Sequence, residues 1–321
     1  MKILITGGMG FVGGRLGVFL SKNGHEIIIG TRRSLDSPNW LPEAKMVMID
    51  WASDKSLNQA CVDVDLVIHT AAMNNKECEL DPVAAHNFNG LATSRLLTAA
   101  INNQVKTFLY FSSAHVYSDS FSGIINENTL ATNSHPYATS HLDGETHVLN
   151  AKNRKLINSV IFRLANAYGT PVTPDVNCWM LLVNSLCKQA TTSNKLKLST
   201  SGDNQRNFIT LSDVCAVVNF FIQRSDSQEL PPIVNICNNH SNTAYEMAVL
   251  IQQRCEVVLG YSPEITRKSQ KFGEPIFPLK LSSLHSLLFN NLISDNKEVE
   301  IDNLLRFCNK FFLKNYSQVS K

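Results

Sequence analysis

Short runs rich in Ile, Val and Leu recur through the first half of the chain: Lys2 to Thr6, His25 to Thr31, Met46 to Asp50, Asp65 to Thr70, Thr107 to Ser112 and Asn158 to Arg163. They show little alternation of apolar and polar residues, which is how strands covered on both faces read. The stretches between them carry helical spacing, as Val12, Leu16, Phe19 and Leu20 do at i, i+4, i+7 and i+8. Strand and helix alternating in this way predict an α/β fold with a doubly wound parallel sheet. After Gly169-Thr170-Pro171 the rhythm changes. An apolar helix over Val176 to Cys187, a strand Lys195 to Ser199, a return strand Asn207 to Thr210, a helix Asp213 to Ile222, a strand Ile233 to Cys237 and terminal helices follow. The expected organisation is a sheet domain over 1–169, with about 207–237 returning to it, and a smaller C-terminal substrate-binding lobe over 170–206 and 238–321. No internal repeat interrupts this plan.

Composition narrows the partners. With 321 residues, 44% hydrophobic and 17% charged, the chain can bury a large core and should be ordered nearly throughout, the tail Tyr316 to Lys321 excepted. A net charge of +2 without any long run of Lys or Arg excludes nucleic acid as the expected partner. The opening Met1 to Thr6 runs straight into a glycine turn, too short an apolar stretch for a leader or a membrane span, so a cytoplasmic protein without a membrane partner is expected. Eight scattered cysteines without a CxxC pair read as buried thiols in a reducing compartment. The histidines show no HExxH or comparable spacing, so no metal is expected.

The sharpest motif is Thr6-Gly7-Gly8-Met9-Gly10-Phe11-Val12-Gly13, which follows the first strand and opens the first helix. Gly7, Gly10 and Gly13 permit the tight turn and close backbone approach, and the helix start at Phe11 and Val12 offers amides to a pyrophosphate, the arrangement of a Rossmann dinucleotide site. The second strand ends at Thr31 without an acidic residue for an adenosine ribose; Arg32 and Arg33 follow instead. Two guanidiniums there suit a 2′-phosphate, favouring NADP, with NAD as the alternative. Asp50, followed by Trp51, closes the third strand where an adenine amino group would lie.

Taken together the motifs resemble the extended short-chain dehydrogenase/reductases, the NAD(P)-dependent sugar-nucleotide epimerase/dehydratase group. TGGMGFVG at Thr6, HTAA at His69, Asn87-Phe88-Asn89-Gly90, SSAHVY at Ser112, Pro136-Tyr137, RLANAYGTP at Arg163 and QRNFITLSDV at Gln205 carry the likeness over about Lys2 to Glu246. The resemblance implies that Thr70, Ala71 and Ala72 form the loop over the nicotinamide-side ribose and that Asn89 supports the site. It implies Tyr137 as acid/base, Ser113 as the partner of the sugar hydroxyl, Asn166 on the sugar, and Asn177 and Arg206 on the diphosphate. It further implies a homodimer through helices Asp81 to Asn102 and Tyr137 to Asn153. Oxidising a secondary alcohol by hydride transfer needs a base within reach of the hydroxyl proton and a donor for the same oxygen, and a phenol with a hydroxyl meets that need.

The main departure from the family lies in the helix that follows the tyrosine. Four residues after the tyrosine the family has lysine, and here Tyr137-Ala138-Thr139-Ser140-His141 places histidine there. Residues i and i+4 share a helix face, so His141 keeps the location and changes the chemistry. It could be protonated, with Glu145 one turn on as counter-ion; it could be neutral and pass protons through the ribose hydroxyl; or the site could be silent. The segment after Ser113 lacks the Thr-Asp-Glu group of sugar-nucleotide 4,6-dehydratases and has Ala114-His115 instead, which disfavours simple dehydration, and Ser118 stands where glycine commonly follows the Val-Tyr pair. His115 reads either as a spare acid/base near the substrate or as a packing residue. The leading expectation is an oxidoreductase or 4-epimerase that makes a 4-keto nucleotide-diphosphate sugar. A catalytically silent dinucleotide-binding protein is the alternative, and a reductase of a non-nucleotide carbonyl is third.

Overall fold

The computed structural model describes residues 1–118, 122–269, 278–294 and 296–313. The tail Tyr316 to Lys321 lies outside them. Seven strands, β1 (Lys2–Thr6), β2 (Glu26–Thr31), β3 (Lys45–Met48), β4 (Leu66–His69), β5 (Thr107–Ser113), β6 (Asn158–Leu164) and β7 (Ile233–Ile236), form one sheet in the order β7-β6-β5-β4-β1-β2-β3. Every neighbouring pair is parallel. All residues of β4 and β5 are buried, the physical reason why neither run alternates with polar residues. Successive side chains of β1 enter opposite cores. Ile3 and Ile5 pack with Leu16, Leu20, Val217 and Phe221 on one face, while Leu4 packs with Leu57, Leu96, Phe108 and Val148 on the other. Strand order reverses between β1 and β4, which opens a crevice at the carboxyl ends of the strands and places the glycine turn, Ser113 and the loop after β4 around it.

A third core, built from Tyr168, Val183, Leu186, Phe208, Met247, Ile251, Ile301 and Leu304, belongs to the C-terminal part of the chain. Two expectations are corrected there. The helix placed at Val176 to Cys187 runs over Leu182–Ser193. Upstream of it Trp179 Nε1 donates to the Pro174 carbonyl and the Cys178 amide to that of Val176, which turns the chain before the helix can start. The return strand Gln205–Thr210 does not enter the large sheet. It pairs in parallel with Asn166–Tyr168 and antiparallel with Ser241–Thr243, because β7 already occupies the edge of β6.

Two helices carry the site from behind. Pro136–Asn153 starts on proline, whose missing N–H costs nothing at a first helical position, and His135 caps it by accepting the Tyr137 amide at 3.1 Å. The segments Pro82–Ala85, His86–Ala92 and Thr93–Asn102 follow one another, the middle one a π-helix. Such wide turns recur at functional sites, and this one holds Asn89, which is buried and donates to Ser140 Oγ at 3.0 Å while accepting the Met73 amide at 2.8 Å. All eight cysteines are buried and unpaired. Among the described residues no helix is long and apolar enough to cross a membrane, and no group of three or more His, Cys, Asp or Glu side chains gathers to hold a metal.

Candidate active site

The glycine turn is built for close approach. Gly7 has φ +72°, and a Cβ on it would stand 2.7 Å from the Ala71 amide nitrogen; one on Gly13 would stand 2.4 Å from the Gly7 carbonyl oxygen. No real side chain fits either distance, so both positions require glycine. Thr70 Oγ1 donates to the Thr6 carbonyl at 2.7 Å and pins the loop after β4, which includes Ala71 and Ala72, beside the turn. Helix Phe11–Lys22 begins at this point without a side-chain cap, leaving its first amides for a ligand. At the other end of the crevice Arg32 and Arg33 are exposed just beyond Thr31, whose hydroxyl accepts the Arg33 amide at 3.3 Å. Asp50 Oδ1 accepts the Ala52 amide at 2.9 Å, and Trp51 packs edge-on against Phe88 with ring centroids 5.2 Å apart. Gly7, Thr31, Asp50 and Thr70 thus stand at or just past the carboxyl ends of the neighbouring strands β1, β2, β3 and β4.

Ser113 ends β5, and Tyr137 stands one residue inside the helix that crosses behind it. Burial pushes the Tyr137 phenol above its ordinary pKa, and the Ser113 hydroxyl beside it opposes the shift. His141 lies one turn on, its ring edge-on to Tyr137 with centroids 4.6 Å apart. Its Nδ1 is 3.2 Å from the Tyr110 hydroxyl, and its Nε2 is buried without a hydrogen-bond partner. An orphaned buried ring nitrogen on the face occupied by the family lysine fits a ribose hydroxyl of a bound dinucleotide, which would satisfy it. Burial lowers the His141 pKa to about 4, so the ring is neutral at pH 7. The expectation that Glu145 serves as its counter-ion is corrected. Glu145 is held by Arg163, at 3.0 Å to Nε and 2.6 Å to Nη2, and by the Ser112 hydroxyl at 2.6 Å. With its charge met inside the core, it has none to offer His141.

On the substrate side, Tyr137 shares a cavity of about 220 Å³ with Asn75, His115, Ser118, Asn133 and His135. His115 Nε2 is 3.4 Å from Asn166 Oδ1, and Arg206 is close enough for its charge to lower the His115 pKa further. Of the residues expected at the substrate, Tyr137 and His115 line this cavity; Ser113 and His141 adjoin Tyr137, and Asn166 and Arg206 adjoin His115, without being among its lining residues. Asn177 is exposed in the segment preceding helix Leu182–Ser193 and is not among the residues lining the cavity. Tyr110, Asn75, Asn133 and His135 were missed from the sequence. Tyr110 had a usable signal: a tyrosine inside a fully buried strand needs a partner for its hydroxyl. That hydroxyl reaches the helix because residue 144 is glycine; a Cβ there would stand 2.4 Å from it.

Comparison with known proteins identifies the fold and the family. The NAD dependent epimerase/dehydratase family matches residues 3–237. An uncharacterized UDP-glucose epimerase of Bacillus subtilis (strain 168), YtcB, is 31% identical over 228 residues, 66% of this chain and 70% of that protein. The solved UDP-N-acetylglucosamine 4-epimerase of Bacillus cereus superposes with a TM-score of 0.78 at 22% identity, over 96% of this chain and 99% of the other. The Thermus thermophilus UDP-glucose 4-epimerase complex with NAD gives 0.78 at 19% identity, over 97% and 100%. At these identities the two structures speak to the fold, which they share with this chain throughout. The family match and the Bacillus subtilis relative go further, and the chain belongs to the NAD-dependent epimerase/dehydratase family.

Proposed function

We propose that this protein oxidises a nucleotide-diphosphate sugar at C4 to a transient ketone, as a 4-epimerase or a net oxidoreductase. The observation that supports the reading is the grouping of Tyr137 with the Ser113 hydroxyl beside it and the orphaned His141 Nε2 one helical turn on, in a sheet whose glycine turn is shaped for close approach of a ligand. Gly7, Gly10, Gly13 and the amides of Phe11 and Val12 would hold the dinucleotide pyrophosphate, and His141 its nicotinamide ribose. Bound there, the dinucleotide supplies the hydride acceptor. Tyr137 takes the proton of the sugar hydroxyl, and Ser113 donates to the same oxygen as the carbonyl develops. Asn166 orients the sugar, while Arg206 and Asn177 meet the diphosphate, a double charge that a guanidinium binds in bidentate fashion. Arg32 and Arg33 support NADP as the preferred cofactor. Val83 and Leu91, exposed on the helical run beside Pro136–Asn153, support a homodimer through that face.

A second reading, a dinucleotide-binding protein without turnover, is favoured by one observation. Tyr137 has its pKa raised by burial, and the residue that should counter this is a neutral imidazole. The two readings separate when purified protein is given NAD or NADP together with UDP-, GDP-, dTDP- and CDP-sugars, and nicotinamide absorbance and sugar products are followed. The first predicts conversion of a sugar nucleotide. Calorimetric binding of cofactor and sugar without conversion would establish the second.

A further inference from the structure

The two ring nitrogens of His141 have different surroundings. Nε2 is buried without a partner, while Nδ1 stands 3.2 Å from the hydroxyl of Tyr110, a residue 2% exposed in the middle of strand β5. Helix Pro136–Asn153 makes room for that hydroxyl at Gly144, where a Cβ would stand 2.4 Å from it. Burial, and after it the Glu145 carboxylate, push the Tyr110 phenol well above its ordinary pKa, so it keeps its proton at neutral pH. The Thr93 hydroxyl beside the phenol gives its own proton to the Asn89 carbonyl at 2.7 Å and meets His69 Nε2 at 2.9 Å. The phenol proton thus faces His141 Nδ1 and, at 3.4 Å, the His141 carbonyl. Of these the nitrogen is nearer and more basic, so the bond runs from the O–H to Nδ1. Since burial leaves His141 neutral, its single ring proton then belongs on Nε2.

We propose that Tyr110 is a positioning residue of this site, which donates to Nδ1 and so holds His141 as the tautomer that presents an N–H to the nicotinamide-side ribose. The inference rests on the reading above that His141 meets that ribose, and it adds what the ring offers there. A ring with its proton on Nδ1 would turn a lone pair to the same place and could only accept. With the proton on Nε2 the neutral ring is a donor, as the family lysine is, though without its charge. Tyr110 also fixes the plane of the ring, because a flipped imidazole would put a carbon opposite the phenol in place of Nδ1.

The test needs no sugar turnover. Full-length protein with isotope-labelled histidine is studied by nitrogen–proton correlation NMR at neutral pH, the His141 signals being assigned by their loss in His141→Lys. The native ring should carry its proton on Nε2, with the Tyr110 hydroxyl proton correlated to Nδ1, and Tyr110→Phe should show both tautomers. The native spectrum decides the direction of the bond even where that variant fails to fold. Calorimetric titration with NAD and NADP supplies the second readout. Tyr110→Phe should weaken the tighter cofactor by about 3- to 10-fold, because a ring free to change tautomer and turn is only fractionally competent to bind. In a His141→Lys background the same substitution should change affinity by less than about twofold, since an ammonium has no tautomer to fix. A native proton on Nδ1, a His141 spectrum unchanged in Tyr110→Phe, or equal effects on cofactor affinity in the two backgrounds would each overturn the proposal. The coupling without conversion of any sugar nucleotide sinks the redox reading alone. Conversion of a sugar nucleotide without the coupling sinks this inference alone.

Discussion

Replacing His141 with lysine should raise activity at neutral pH. An unperturbed phenol with pKa near 10 is ionised to about one part in a thousand at pH 7, and burial of Tyr137 pushes that fraction lower still. The present neighbour adds no charge, because burial holds His141 neutral down to about pH 4. A cation within about 4–6 Å lowers such a pKa by about 1–3 units, equivalent to about 1.4–4 kcal/mol in favour of the phenolate. The amine of His141→Lys would occupy that range, since residue 141 lies one helical turn from Tyr137 and its ring already touches the phenol. The reactive fraction at pH 7 should rise by about 10- to 1000-fold, and the ascending limb of kcat against pH should move to lower pH by about 1–3 units. The assay is initial-rate oxidation of the sugar nucleotide from pH 6 to pH 10, with cofactor affinity measured in parallel. An unchanged limb in His141→Lys with cofactor still bound would refute the reasoning, as would a native limb between pH 4 and pH 6.5 that vanishes in His141→Gln.

Three further expectations concern stability and cofactor choice. His69 and His141 are buried and have pKa values lowered to about 3 and about 4; their unfolded values near 6.5 are higher, so the unfolded chain binds the extra protons. Stability is then fully present above pH 6.5 and falls by about 1.4 kcal/mol per pH unit for each ring as pH drops toward 4, a slope that urea titrations should halve in His141→Phe. Glu145→Ala leaves the Arg163 guanidinium buried without its carboxylate and should cost about 3–5 kcal/mol in chemical denaturation, whereas a cost near zero would show that water replaces the ion pair. Arg32→Ala combined with Arg33→Ala should weaken NADP binding at least about tenfold and leave NAD binding within about twofold; equal losses for both would remove the 2′-phosphate role.

The fold was legible because buried parallel strands write themselves as uninterrupted Ile, Val and Leu runs, and all six runs read in the first half of the chain are strands of the large sheet. Gly7 and Gly13 were legible for a different reason: backbone contacts below 3 Å leave glycine no substitute, so the chemistry is visible in the letter. Edges and starts were less readable. Apolar spacing over Val176 to Cys187 could not reveal that Trp179 and Cys178 form turns there, and strand Gln205–Thr210 carries no mark of which sheet accepts it. At the site, Tyr137 and His141 follow from helix periodicity, whereas the state of His141 does not. That state depends on desolvation and on Glu145 being claimed by Arg163, which lies 18 residues away in the sequence, on strand β6 rather than on the helix. Tyr110 and the lining of the cavity by Asn75 and Asn133 are likewise products of long-range packing.

The central claim, that Tyr137 carries the proton transfer in oxidation of a sugar nucleotide, is tested most directly by comparing the native protein with Tyr137→Phe. Both should bind cofactor and the sugar nucleotide with Kd values within a few-fold by calorimetry, because the phenyl ring keeps the packing against His141. Turnover of the sugar should fall by about 100-fold or more in Tyr137→Phe, the range for loss of a positioned acid/base. Turnover that survives the substitution unchanged would contradict the account.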